Sequence, residues 1–185
     1  MVAPVQALIV IDVQSWAVAG DGAVPGAGGL LAAVRLLLAA ARQAGSLVVH
    51  LQNDGPPGTA DEPGQPGWRL HLPPSGGEPV LRKTHDDGFR GTDLGGVLAG
   101  RQATRLAVAG VMSEMCVAAT ARAALDRGFG VVLAHDAHAT FDIPAVAGFG
   151  PAVPAAATAR VAEWSLGDQV ELITRAAGVS FAAGG

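Results

Sequence analysis

The only cysteine of the 185-residue chain, Cys116, stands in the stretch 110–117, GVMSEMCV. The apolar run before this stretch predicts a strand that ends at Gly110, and Ser113 predicts the N-cap of a helix that stops at Gly128. Cys116 would then lie in the first helical turn, where unpaired backbone N–H groups and the helix dipole lower the pKa of a thiol. The segment alone leaves two roles open, a reactive nucleophile or a small buried hydrophobic residue.

Two charged residues also follow short apolar runs. Asp12 comes directly after the run Ala7–Ile11. A carboxylate at the end of a buried strand is costly unless it is hydrogen-bonded or functional, so Asp12 is either a turn-capping residue or a catalytic one. Lys83 stands in the segment Val80-Leu81-Arg82-Lys83-Thr84, just past a short apolar piece, and a lysine in this setting taken alone is expected to face solvent.

The elements that must position these residues are predicted from apolar patterning. Nearly continuous apolar runs, which are typical of strands buried on both faces, occur at Ala7–Ile11, Leu47–Leu51, Leu106–Ala109 and Val131–Ala134. A helical stripe runs from Leu30 to Ala41 and is closed by Gly45; a last helix is predicted near Ala155–Trp164 and a final strand near Val170–Ile173. The alternation indicates an α/β fold, a mostly parallel sheet with helices on both faces and its ligand site at the carboxyl ends of the strands.

Composition limits the remaining possibilities. A chain of 185 residues with 50% hydrophobic content is expected to form a single domain, 1–185, and the segment at about 53–77, with six of the twelve prolines, to be an insertion over the site. The net charge of -4 without a basic run argues against nucleic-acid partners. Apolar runs are too short to cross a membrane, and the start of the sequence lacks a signal-peptide pattern, so we expect a cytoplasmic protein.

With Asp12, Lys83 and Cys116 in this order, the chain resembles the isochorismatase-like cysteine hydrolase superfamily. The matching segments are Leu8–Gln14, Arg82–Thr84, Phe89–Leu94, Val108–Val117, Thr120–Arg122, Ala124 and Asp136-Ala137. The resemblance implies a three-layer α/β fold and hydrolysis of a C–N bond by an Asp-Lys-Cys triad. Cys116 would attack a carbonyl to form a thioester, Lys83 would hold the thiolate electrostatically, and Asp12 would accept and return the proton.

The resemblance also assigns further site residues. It implies a cis peptide bond between Val111 and Met112, and an oxyanion hole formed by the N–H groups of Met112 and Cys116. Trp16 and Phe89 are candidates to line the substrate pocket, although each could equally be a core residue. His85, two residues after Lys83, is a third candidate for substrate binding.

Departures from the family pattern limit the chemistry. The metal motif Asp-x-His of nicotinamidases is replaced here by His50-Leu51-Gln52-Asn53-Asp54, so we expect no metal and no other cofactor, although His50 and Asp54 could still act as ligands. Retention of Cys116 indicates a small-molecule amide, lactam or ureide substrate rather than a vinyl ether.

The choice among substrates stays open in the sequence. The segment Asp136–Pro144, with Ser113–Cys116, is most similar to the branch that contains streptothricin hydrolases, which open the lactam of that antibiotic. The alternatives are a nicotinamidase- or ureide-type amidohydrolase, and a non-catalytic ligand-binding or redox-sensing protein on the same fold. The resemblance implies a homo-oligomer, a dimer or larger, and the high apolar content of the chain is in keeping with such an assembly.

Overall fold

The strands of the protein form one sheet in which neighbouring strands are parallel. A computed structural model describes residues 3–184 of the chain. The strands are β1 (Ala7–Ile11), β2 (Leu47–Asn53), β3 (Val80–Lys83), β4 (Arg105–Val111), β5 (Gly130–Ala139) and β6 (Val170–Ile173). Their order across the sheet is β3-β2-β1-β4-β5-β6.

Helices cover both faces of this sheet. The α-helices are α1 (Ser15–Val18), α2 (Ala27–Gln43), α3 (Leu94–Ala99), α4 (Ala118–Asp126) and α5 (Ala155–Ser165). Along β1, Leu8 and Val10 join the apolar cluster under α2, whereas Ile9 and Ile11 join the cluster under α3 and α4. All of β1 is buried, which is why its sequence is apolar at each position. The predicted three-layer α/β fold is confirmed.

The strand order places a crevice at the carboxyl ends of the central strands. The chain moves from β1 to β2 on one side and later returns to add β4 on the other side of β1. Connections that leave in opposite directions open a crevice at this switch point, where α/β proteins bind ligands. Asp12 follows β1, Lys83 ends β3, and Cys116 lies in the turn after β4, so the three residues belong to the same edge of the sheet.

The connection after β4 differs from its prediction. β4 continues through Gly110 to Val111, and a single π-helical turn, Ser113–Val117, precedes α4. Gly110 has φ of +133°, and a Cβ there would lie 2.0 Å from the carbonyl oxygen of Ile11, so only glycine allows β4 to pass β1 at this point. Ser113 does not cap a helix, because its hydroxyl is hydrogen-bonded to His138 instead.

Other elements are longer or less regular than predicted. β5 reaches Ala139, and its register shifts: two steps along β4, from Val108 to Gly110, correspond to the interval from Leu133 to His138 on β5. Between β2 and β3 the chain is irregular apart from a 3-10 turn at Pro66–Trp68, as its proline content predicted. Within residues 3–184, no helix has the length and apolar content needed to span a membrane.

Candidate active site

Lys83 joins Asp12 and Cys116 in the interior of the protein. Its Nζ lies 2.6 Å from Oδ2 of Asp12 and 3.3 Å from Sγ of Cys116. The three residues are 4%, 3% and 7% exposed in the order Asp12, Lys83, Cys116. Lys83 is also the only lysine of the chain, so its single lysine and its single cysteine are in direct contact. The structure therefore brings together the three residues that the sequence singled out.

A tight turn aims the Asp12 side chain at this cluster. Asp12 has φ of +51°, a conformation that residues other than glycine adopt infrequently. Its N–H donates to the carbonyl of Leu51 at 3.0 Å, and its carbonyl accepts from the N–H of Gln14 at 2.7 Å. Among the described residues Oδ1 has no hydrogen-bond partner, although the atom is buried. One carboxylate oxygen is thus held by Lys83, and the carboxylate also lies beside the Cys116 thiol.

Burial governs the pKa values of the three groups. Loss of hydration raises the pKa of Asp12, although the charge of Lys83 acts in the opposite direction. Burial alone would lower the pKa of Lys83, but the charge of Asp12 and the contacts of the ammonium with Asp12 and Cys116 outweigh this effect and the pKa is raised. Burial raises the pKa of the Cys116 thiol, and the charge of Asp12 adds to this effect. Burial and the neighbouring carboxylate both favour the neutral thiol of Cys116, while the charge of Lys83 favours the carboxylate form of Asp12.

The prediction that Cys116 has a lowered pKa is therefore wrong for the resting protein. It depended on an α-helical first turn capped by Ser113, whereas Cys116 lies in a π-helical turn. The thiol is also almost fully buried, and two carboxylates, Asp12 and Asp86, act on it besides one ammonium. Desolvation and negative charge both favour the neutral thiol. A base must therefore remove the thiol proton during the reaction, because the resting site does not stabilise a thiolate.

Asp86 is a site residue that the sequence interpretation missed. Its Oδ1 lies 3.5 Å from Sγ of Cys116, at the exposed side of the cluster. The loop that carries it is fixed on α4, because the hydroxyl of Thr120 donates to the Asp86 carbonyl at 3.3 Å and accepts from the N–H of Gly88 at 3.0 Å. The sequence signal was its place three residues after Lys83, on the loop that leaves the same strand.

The three candidate substrate-binding residues lie in different environments. Trp16, in α1, stacks on Phe141 with ring centroids 5.8 Å apart, and its buried Nε1 has no hydrogen-bond partner among residues 3–184. Phe89 is buried, with its ring 6.0 Å from that of Phe129. His85 is exposed on the loop after β3, where Asp86 rather than His85 contacts the thiol. Their roles in binding stay predictions.

Trp16 and the proline-rich segment line the same open cavity. The cavity has a volume of about 770 Å³ and is lined by α1 together with parts of residues 58–67. Gly67 packs against Trp16 so closely that a Cβ on the glycine would lie 2.8 Å from the Cβ of the tryptophan. The charge of Asp61 also reaches Asp12, where it raises the carboxyl pKa further, after the larger effects of burial and Lys83. The segment thus lies beside the site.

Buried amides fasten this segment to the sheet. Gln14 and Gln52 each donate to the carbonyl of Trp68 at 2.8 Å. The indole N–H of Trp68 donates to Asp54 at 2.9 Å, and the guanidinium of Arg82 lies 5.2 Å from the indole ring. Trp68 is therefore an anchor of the segment.

The two residues that remained possible metal ligands are engaged elsewhere. Nε2 of His50 lies 3.0 Å from Oε2 of Glu78, and burial lowers the pKa of His50 despite this contact. Asp54 instead pairs with Arg82 at 2.7 Å and binds Trp68. The structure does not bring His50 and Asp54 together as a pair of ligands.

The predicted oxyanion hole lies at the junction of β4 and the π turn. The peptide bond between Val111 and Met112 is cis. The carbonyl of Met112 accepts from the N–H groups of Met115 and Val117 at 3.1 and 3.2 Å, which closes the turn around Cys116. A role for the N–H groups of Met112 and Cys116 toward an oxyanion stays a prediction.

Sequence interpretation also missed a polar cluster behind this turn. Ser113 Oγ lies 2.8 Å from Nδ1 of His138, and Nε2 of His138 lies 3.1 Å from Oε1 of Glu163. The same carboxylate oxygen lies 2.5 Å from Nδ1 of His135. Asp136, which lies between the two histidines in the sequence, instead accepts a hydrogen bond at Oδ1 from the N–H of Ala176 at 2.7 Å. No periodic pattern marks such a cluster, because its members come from the π turn, β5 and α5, which are distant from one another in the sequence.

Comparison with known proteins agrees with this architecture. A sequence model described as the isochorismatase domain matches residues 6–160. Two proteins of Streptomyces noursei, both named streptothricin hydrolase, are 60% identical to the chain over 182 and 181 residues. The alignments cover 97% of this chain in both cases, and 72% and 66% of the two relatives. The chain belongs to the isochorismatase family.

A solved structure extends the likeness to three dimensions. This isochorismatase-family hydrolase matches the crystal structure of an isochorismatase from Pseudomonas putida KT2440 with a TM-score of 0.86 and 29% identity. The match covers 97% of this chain and 94% of that one. The resemblance drawn from the sequence motifs is confirmed, including the branch with the streptothricin hydrolases.

Proposed function

We propose that the protein is a cysteine hydrolase that opens the lactam C–N bond of a streptothricin-type small molecule through a thioester on Cys116. The observation that carries the proposal is the contact of Lys83 with both Asp12 Oδ2, at 2.6 Å, and Cys116 Sγ, at 3.3 Å, in a buried site. The identity of 60% with proteins named streptothricin hydrolase supports the choice of substrate.

Acylation begins with movement of the thiol proton to Asp12. The raised pKa of Asp12 makes its carboxylate a better base, and this carboxylate lies beside the thiol. Proton transfer within the site leaves its net charge unchanged, and the ammonium of Lys83 then neighbours the new thiolate. The thiolate attacks the carbonyl carbon, and the N–H groups of Met112 and Cys116 receive the negative charge that develops on the oxygen.

Collapse of the tetrahedral intermediate breaks the C–N bond. Asp12 returns the proton to the departing nitrogen, which leaves as a neutral amine, and a thioester to Cys116 remains. Asp12, again a carboxylate, takes a proton from water as the water attacks the thioester carbonyl. The carboxylic acid is released and the proton of Asp12 restores the thiol of Cys116.

A lactam gives this cycle a distinct signature. When a ring opens, the amine stays tethered to the acyl group, so the thioester intermediate carries the mass of the whole substrate. A linear amide or ureide loses its amine, and the intermediate carries only the acyl part. Intact mass spectrometry of protein quenched in acid during turnover therefore separates the lactam substrate from the open-chain alternatives.

The decisive experiment measures turnover and adducts with a streptothricin and with a panel of amides and ureides. We expect hydrolysis of the streptothricin, an adduct of whole-substrate mass on Cys116, and loss of both in Cys116→Ala. Circular dichroism of the variant provides the folding control. Unchanged hydrolysis by folded Cys116→Ala would exclude the proposed nucleophile, and an adduct of acyl mass only would exclude the lactam.

We propose that the reaction needs no metal ion. His50 and Asp54, the two residues considered as metal ligands, contact Glu78 and Arg82 respectively. In the proposed cycle Asp12 accepts the thiol proton and later protonates the leaving nitrogen, so no step requires a Lewis acid. Protein treated with a chelator and then freed of it should keep its turnover rate, and a restoration of activity only by added metal would contradict this.

The non-catalytic alternative is less well supported. A redox-sensing thiol is normally exposed and has a low pKa, whereas Cys116 is 7% exposed and burial raises its pKa. Hydrolysis, in contrast, gives a role to both charged neighbours of Cys116, because Asp12 moves the proton and Lys83 stabilises the thiolate.

We also propose that the protein works as a homo-oligomer in the cytoplasm. Large apolar side chains lie exposed on and near α5: Phe149 at 93%, Trp164 at 77% and Val161 at 64%. Such exposure is typical of surfaces that contact another copy. Light scattering after size exclusion should give a mass of at least two chains, and a monomer at micromolar concentration would contradict the assembly. Fractionation of producing cells tests the location.

A further inference from the structure

Two histidines and a glutamate form a second cluster that the proposed hydrolysis does not use. One ring nitrogen from each of His135 and His138 and a carboxylate oxygen of Glu163 all lie within 4.8 Å of one another. The cluster shares no residue with the Asp12, Lys83 and Cys116 site.

The irregular part of β5 creates this arrangement. The register shift after Leu133 lets His135 and His138 both reach the Glu163 side chain on α5. Glu163 and His138 are 4% and 6% exposed, whereas the His135 side chain is 56% exposed. Arg160 lies 3.3 Å from the second oxygen of Glu163, so only one carboxylate oxygen faces both histidines.

We propose that His135, His138 and Glu163 bind a divalent transition-metal ion of the zinc class. Imidazole nitrogen and carboxylate oxygen are ligands that zinc prefers, and three of them leave one position of a tetrahedron for water. Zinc bonds of about 2.0–2.1 Å place the ligand atoms roughly 3.4 Å apart. The present separations from Glu163 Oε1, 2.5 Å to His135 and 3.1 Å to His138, need only modest widening.

Ser113 supplies the outer contact that a metal-bound histidine normally has. A carboxylate oxygen can only accept, so Nε2 of His138 carries a proton where it faces Glu163, and Nδ1 lies 2.8 Å from the Ser113 hydroxyl oxygen. With a metal ion on Nε2, the protonated ring nitrogen would be Nδ1, which can donate to Ser113 Oγ. The buried contact between His138 and Ser113 would therefore be kept.

A cavity gives an ion access to the cluster. The cavity has a volume of about 930 Å³ and is lined by His135 and His138 together with residues of α2 and α5. A water or small anion in this space could complete the coordination. Because Ser113 begins the turn that carries Cys116, a bound ion would tie β5 and α5 to that turn, a stabilising role beside the chemistry rather than in it.

The test measures metal binding in a Cys116→Ala background without an affinity tag, so that neither the thiol nor the tag binds metal. Zn²⁺ is titrated calorimetrically, and Co²⁺ is followed by its electronic absorption, which reports tetrahedral coordination. We expect one ion per chain, at least a tenfold loss of affinity in His135→Ala and Glu163→Gln, and no change in the control His71→Ala. His135 is exposed, so its variant should stay folded even if Glu163→Gln does not.

Thermal melting supplies an independent readout. Zn²⁺ should raise the melting temperature of the Cys116→Ala protein and of its His71→Ala derivative, but not of His135→Ala. Absence of a tetrahedral Co²⁺ spectrum, or equal Zn²⁺ affinity in the His135→Ala and parent proteins, would show that the cluster is a closed hydrogen-bond network and overturn the proposal. Neither result depends on whether the protein hydrolyses a lactam.

Discussion

Replacement of Lys83 by methionine tests whether the buried ion pair between Lys83 and Asp12 stabilises the folded protein. Methionine nearly preserves the length of the side chain but removes the ammonium that lies 2.6 Å from Asp12. The carboxylate, 4% exposed, is then left in the interior without its counter-charge. Removing one partner of a buried pair costs about 3–5 kcal/mol.

The expected loss is large enough to measure by thermal melting. For a chain of this size, each kcal/mol corresponds to about 2–4 °C, so Lys83→Met should melt roughly 6–20 °C below the unchanged protein. Arg82→Met is the matched control on the adjacent residue. The Arg82 side chain is 54% exposed and pairs with Asp54, and pairs of this kind contribute about 0–1 kcal/mol.

The pH dependence of Lys83→Met has a definite sign. Burial raises the pKa of Asp12, and without the opposing charge of Lys83 the rise is larger. The folded state then binds a proton more tightly than the unfolded chain, so the variant gains stability as the pH falls and loses it as the pH rises. The gap to the unchanged protein should therefore be wider at pH 8 than at pH 5.

A double variant separates the buried charge from a loss of packing. Asp12→Asn combined with Lys83→Met removes both charges at nearly constant volume and should recover most of the lost stability. A melting temperature of Lys83→Met equal to that of Arg82→Met, or a double variant no more stable than Lys83→Met, would refute the reasoning.

Three further changes test neighbouring parts of the structure. Gly110→Ala should lower the free energy of unfolding in urea by at least about 2 kcal/mol, because its Cβ would lie 2.0 Å from a β1 carbonyl; Gly128→Ala, with φ of +84° in open space, should lose less. Asp12→Asn should speed alkylation of Cys116 by iodoacetamide at pH 7, because burial and then the Asp12 charge raise the thiol pKa, and it should abolish turnover; slower alkylation would contradict this. Trp68→Phe should lose about 1 kcal/mol with its indole hydrogen bond of 2.9 Å, and limited proteolysis should then cut residues 53–77 faster.

The sheet was predictable because burial on both faces leaves a direct trace in the sequence. β1 and β6 begin and end where the apolar runs Ala7–Ile11 and Val170–Ile173 indicate. The length of β5 was underestimated, because its second half contains His135, Asp136 and His138. Polar residues of this kind are typical of loops when their hydrogen-bond partners are unknown. These polar residues are explained by their contacts with Glu163 on α5 and with the N–H of Ala176. Such contacts between distant parts of the chain leave no local pattern in the sequence.

The turn around Cys116 shows the same limit. Ser113 has the residue type of an N-cap, and no neighbouring residue in its segment indicates another partner for its hydroxyl. In the fold, His138 lies 2.8 Å away and takes that hydroxyl, so the backbone closes a π turn around Met112 instead. The pKa of Cys116 was misjudged for this reason, since a local pattern predicts the dipole of a helix but not the burial of a thiol beside two carboxylates.

Lysine at position 83 is explained by the tertiary structure rather than by its own segment. The chain has 12 basic residues of the lysine and arginine types, and Lys83 is the only lysine among them, so positive charge elsewhere is carried by arginine. A guanidinium is planar and presents its donors as a rigid fork, whereas an ammonium is a compact point charge with three donors that can be directed separately. The space between Asp12 Oδ2 and Cys116 Sγ, reached at 2.6 and 3.3 Å, suits the ammonium. A residue that looked solvent-facing in its own segment is thus the one whose chemistry the buried site requires.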